Sequence, residues 1–97
     1  MSKLTQAARG RECMIRLPGI CNYDSSTTVL AHLNMSGISG RGIKAPDQLG
    51  AWACSACHAV IDSNGASAGL ERDFVKLAHL EGIMRTQYIL IKDGKIV

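Results

Sequence analysis

Four cysteines, Cys13, Cys21, Cys54 and Cys57, constrain this chain more than any other feature. In 97 residues there is room for one domain, 1–97, and no second core. A domain this small gains disproportionately from a cross-link. Two residues separate Cys54 from Cys57, the spacing of a zinc knuckle, and seven separate Cys13 from Cys21. The wider pair holds Pro18-Gly19, which suits the centre of a type II turn and folds the segment back on itself. One metal would then join two segments with 32 residues between them. The cysteines predict a single structural Zn²⁺ site, with free buried thiols or disulfides as the alternative. Four thiolates leave no open position, so such a zinc folds the protein and does not catalyse.

The compartment bears on that choice. The first twelve residues lack the apolar core of a signal peptide, and no stretch approaches the length of a membrane span. A cytoplasmic protein with no membrane partner is expected, and thiols stay reduced there. Hydrophobic residues make up 46% of the chain, which argues against disorder. With four aromatics, the core must come mainly from Leu, Ile, Val and Ala.

Charge is unevenly placed. Residues 1–46 hold six basic against two acidic residues, a balance of +4, and residues 47–97 hold five against six, a balance of −1. The positive half fits a phosphate-binding face, with Arg9, Arg11, Arg41 and Lys44 as candidate contacts to nucleic acid. An ordinary solvated surface is the plainer alternative.

Local patterns divide the chain further. Residues 1–12 read as a basic arm or short helix, and 13–21 as a strand and tight turn. Thr27 to Leu33 is β-branched and apolar, a strand with His32 near its end. Residues 35–46 hold glycines, basic residues and a proline, and predict a loop. Leu49 to Ala53 reads as a second strand leading into Cys54. A short helix starts near Ser55 and stops at Asn64-Gly65. Leu70 to Leu80 predicts an amphipathic helix, with Leu70, Phe74, Leu77 and Ala78 at helical spacing and Gly82 as its stop. Residues 83–97 fit either a helix or a hairpin about Asp93-Gly94, and helix is the reading adopted. Trp52, among small residues, is expected in the core. His79 is expected to meet the helix dipole near a C-terminal end.

His58 follows Cys57 directly and Asp62 lies four residues on, one face of one helix. An imidazole and a carboxylate so placed can reach one divalent cation. His32 lies in the apolar run Val-Leu-Ala-His-Leu, which alone suggests a packed core histidine. The order of features changes that reading: a cysteine pair, a strand ending in His, a glycine-rich loop, a strand, then Cys-x2-Cys-His opening a helix.

That order resembles the zinc-containing HNH (His-Me finger, ββα-metal) nucleases, and more closely the YbcO-like family of small nucleases carried by phages and prophages. The likeness spans nearly the whole chain and is most specific in Leu49-Gly-Ala-Trp-Ala-Cys-Ser-Ala-Cys-His58. It implies an α+β fold: a zinc-stapled ββα core over 13–62, with a C-terminal helical extension over 70–97. It implies a DNA endonuclease with His32 as general base and His58 as a ligand to catalytic Mg²⁺ or Mn²⁺; Asp62, one turn beyond His58, could supply the second ligand. Products would carry 5′-phosphate and 3′-hydroxyl ends. Two positions depart from the pattern. Ala31 stands where many HNH nucleases carry an acidic ligand, and residues 49–53 contain no Asn. Asn34 and Asp47 are the nearest candidates to orient His32. These departures keep a second reading in play, a catalytically silent zinc module of phage origin that binds nucleic acid or a protein.

Overall fold

The computed structural model describes residues 3–96. Its elements run α1 (Lys3–Ala7), β1 (Val29–His32), β2 (Gly50–Ala53), α2 (Ser55–Asp62) and α3 (Arg72–Lys92), with single 3₁₀ turns at Ser25–Thr27, Asp47–Leu49 and Ala66–Ala68. Met1, Ser2 and Val97, the outermost residues of the expected arm and extension, lie outside the described residues. The result is a small α+β domain with one two-stranded sheet and three α-helices among the described residues.

β1 and β2 pair antiparallel, with Leu30 opposite Trp52, Ala31 opposite Ala51 and His32 opposite Gly50. Strand residues alternate between faces, so the sheet divides the interior in two. Leu30 and Trp52 pack with Ala8, Met14 and Leu90. Ala31, Ala51 and Ala53 pack with Ile15, Leu17, Val60, Val75, Ile83 and the cysteines. Trp52 is thus a core residue, as its setting predicts.

The strand expected over 13–21 does not form. Met14 N–H reaches Trp52 O at 2.7 Å, beside the edge of β2, but Arg16 adopts φ 51° and turns the chain away. The turn around Cys13 takes precedence over extended pairing. The Pro18-Gly19 turn does form, closed by Ile20 N–H to Leu17 O at 3.1 Å with Gly19 at φ 73°. α2 ends where expected, with Asn64 and Gly65 both at positive φ.

α3 departs most from expectation. It runs 21 residues, straight through Gly82, and settles residues 83–92 as helix. Gly82 is no stop because it is a contact point: a Cβ there would lie 2.7 Å from Ile15 Cγ1 and 3.4 Å from Ala51 Cβ. The missing side chain lets α3 close onto β2. Nearby, buried Thr86 Oγ1 accepts from Trp52 N–H at 3.1 Å and donates to Gly82 O at 2.8 Å. The buried face of α3 is Val75, His79, Gly82, Ile83, Thr86 and Leu90. Phe74 and Leu77, expected inward, are 49% and 57% exposed.

Two opposing effects meet at Gly82. On a free helix, Gly→Ala gains about 1 kcal/mol. Overpacking a filled core costs about 1–3 kcal/mol. With Ile15 buried, the clash decides, and Gly82→Ala is expected to lower stability by up to about 2 kcal/mol, read from the urea midpoint.

Candidate active site and cysteine cluster

Cys13 and Cys54 each begin a turn of the same form. Arg16 N–H donates to Cys13 Sγ and Cys57 N–H donates to Cys54 Sγ, both at 3.4 Å. Cys54 is thereby the N-cap of α2. The loop carrying Cys21 is tied to the same helix end: Ser55 N–H donates to Thr27 Oγ1, and Asn22 Nδ2 to Ser55 Oγ, both at 3.1 Å. All four Sγ atoms lie within 4.8 Å of one another. Cys54 and Cys21 Sγ are 3.7 Å apart, close to the separation that two Zn–S bonds of about 2.3 Å subtend at a tetrahedral centre. The set therefore fits a metal ion such as zinc. The Cys13 thiol is held low, at about 4, chiefly by a hydrogen bond from Cys57, and Cys57 is pushed up in return.

A separate cleft of about 350 Å³ is lined by Leu30, Ala31, His32, Lys44, His58, Ile61 and Asp62. The last residue of β1 and the first and last turns of α2 supply its histidines and acid. His58 follows the knuckle, with its N–H on Cys54 O at 2.9 Å. One turn on, Asp62 Oδ1 lies 3.6 Å from His58 Nε2. Two ligand bonds of about 2.1 Å to a shared ion would span that gap. Across the cleft, His32 Nε2 and Asp47 Oδ1 are 2.6 Å apart. Of the two candidates for orienting His32, Asp47 is the one that touches it. Exposed Asn34 sits on the rim of an adjoining cleft with His32, Arg41 and Lys44.

The four basic residues separate in space. Arg41 and Lys44 border His32. Arg9 lines a different depression, with Thr5 and Ser26. Arg11 stacks on the Trp52 ring at 4.8 Å and pairs with Asp93 at 3.1 Å, so it bridges the two ends of the fold.

Sequence reasoning missed His79. With α3 running on to Lys92, His79 sits in mid-helix, not at an end. It is buried, with Nε2 2.9 Å from Ala31 O, directly behind His32 in the chain. Only its even spacing with Val75 and Ile83 hinted at burial. Burial pushes its imidazole below the ordinary value, and the Ala31 carbonyl opposes that shift. Below about pH 6.5 the unfolded chain takes up a proton that the folded chain resists. The stability His79 contributes at neutral pH is therefore lost as pH falls toward its lowered value. Urea midpoints should drop between about pH 7 and pH 5.5 with metal content constant, and His79→Gln should flatten that dependence.

Geometry defines the class: a small α+β domain with a four-cysteine, metal-competent cluster beside a histidine- and carboxylate-lined cleft. A family model described as "Putative nuclease YbcO" matches residues 2–95, and the chain belongs to that family. Over 96 residues it is 46% identical to "Putative nuclease YbcO" of Escherichia coli and to "Putative nuclease ybcO" of Enterobacteria phage 82, covering 99% of this chain and 98% of each relative. A solved structure of a "putative bacteriophage protein" from Escherichia coli matches with TM-score 0.76 and 43% identity, over 93% of this chain and 98% of that one. Among the described residues, no helix is long and apolar enough to cross a membrane.

Proposed function

We propose that this chain is an HNH-type endonuclease that hydrolyses phosphodiester bonds in DNA with Mg²⁺ or Mn²⁺, on a ββα core held by structural zinc. The observation that carries this reading is the pairing of His32 with Asp47 at 2.6 Å across one cleft from His58 and Asp62. The order β1, β2, α2, with the cysteine knuckle opening α2, supports the superfamily assignment. Relatives named "Putative nuclease" support the activity.

His58 and Asp62 would hold the divalent ion, which supplies positive charge to the scissile phosphate as negative charge builds there. With its Nε2–H donated to Asp47, His32 presents Nδ1 as acceptor for the proton of the attacking water. The water oxygen bonds to phosphorus and the bond to the 3′ oxygen breaks, that oxygen taking a proton from solvent. Lys44 and Arg41 attract the neighbouring phosphates. If so, replacing both by Ala lowers the slope of log affinity against log salt by about two, while Arg11→Ala leaves it unchanged.

The silent-module reading has one observation in its favour. Ala31 is 1% exposed and carries no ligand atom where an acid is common. Supercoiled plasmid, single-stranded DNA and RNA, each with Mg²⁺, Mn²⁺ or EDTA, separate the two. Nicking of DNA that EDTA abolishes is the expected result. Binding without cleavage under every metal replaces the nuclease with the module.

A further inference from the structure

α3 is apolar on two opposite sides. One side is the buried face already described. The other lies in solvent: Phe74 49%, Leu77 57%, Leu80 37%, Met84 57%, Tyr88 64% and Ile91 53% exposed. Positions 74, 77, 81, 84, 88 and 91 alternate steps of three and four, the a and d positions of a heptad seam, with Glu81 the one polar member. Packing against the chain's own core does not require such a period on the solvent side. A contiguous apolar strip of this kind marks an interface.

We propose that this seam binds the same seam of a second copy of the chain, with the two α3 helices antiparallel about a two-fold axis near Gly82–Ile83. Phe74 then meets Ile91 of the second copy, Leu77 meets Tyr88, and Glu81 meets Met84. Each layer joins an a position to a d position, so the patch is complementary to itself, as a two-fold interface requires. Charge selects the antiparallel sense. Glu71, Arg72 and Asp73 give one end of the seam a net −1, and Lys92, Asp93 and Lys95 give the other a net +1. Antiparallel packing joins unlike ends and opposes the helix dipoles. Glu81, 3.8 Å from Arg85 in its own chain, would also lie beside Arg85 of the second copy. Parallel packing would instead stack Glu81 on Glu81. Buried completely, these six side chains would supply at most roughly 600 Å² per chain and roughly 1,200 Å² for the pair, which reaches the lower edge of the range for specific interfaces.

The test is sedimentation equilibrium on the full chain, with circular dichroism confirming the fold of each variant. A reversible dimer is expected for the unaltered protein. Leu77→Glu and Tyr88→Lys, both at exposed positions, should each weaken it at least about tenfold, a loss of about 1.4 kcal/mol. The double variant should regain much of that loss, because the new acid and base face each other only in the antiparallel register. An unaltered chain that stays monomeric to its solubility limit overturns the proposal and leaves the seam to a different protein. Dimers indifferent to both single substitutions overturn it as well. A double variant no better than either single rules out the antiparallel pairing.

Discussion

Cys57→Ser is expected to unfold the domain. Cys57 is fully buried, its N–H closes the turn on Cys54, and its Sγ belongs to the four-sulfur cluster. Structural zinc in small domains contributes about 10–16 kcal/mol of binding free energy at neutral pH. A whole domain is stable by only about 5–15 kcal/mol, so a chain that loses its metal along with one ligand keeps too little to hold the fold. Protein purified without added metal should contain about one zinc per chain. Removing it with a strong chelator should abolish the near-ultraviolet signal of buried Trp52, and returning zinc should restore it. Zinc near zero in a folded protein with four freely reactive thiols would end the claim.

The second large effect is expected at His32. A general base contributes about 10²- to 10⁴-fold in rate and little to ground-state binding of nucleic acid. His32→Ala should therefore lose cleavage by that factor while keeping zinc, fold and affinity. Asp47→Ala, which removes the hydrogen-bond partner of Nε2, should cost roughly 10- to 100-fold. His58→Ala should also stop cleavage, through loss of the divalent ion, with a trace restored by excess Mn²⁺. If His32→Ala unfolds the protein, His32 is a core residue after all.

Much of the central fold was legible because its signals are local. A β-branched run, an Asn-Gly stop and a Cys-x2-Cys spacing each act within a few residues, and β1, β2 and α2 formed where they pointed. α3 was misread for a physical reason. Its apolar residues occupy both sides of the helix, so periodicity offered two equally good faces, and Phe74 and Leu77 were assigned inward. Gly82 reads as a terminator in sequence, whereas its role is set by Ile15, a partner 67 positions away. The site divided along the same line. The proximity of His58 to Asp62 follows from helix geometry, but the contact of Asp47 with His32 depends on how a 14-residue connection returns to the sheet. Arg11, read from sequence as a candidate phosphate contact, has partners in Trp52 and Asp93 that no local pattern announces.

The order of parts along the chain separates the cysteine cluster from its cover. All four clustered cysteines, both strands and α2 precede the first residue of α3. Trp52 and its strand depend on that later helix for the cover that Thr86 and Gly82 bring. On the zinc reading proposed above, a chain lacking its metal would offer α3 a loose hairpin to dock on, with an apolar strand bared to its neighbours.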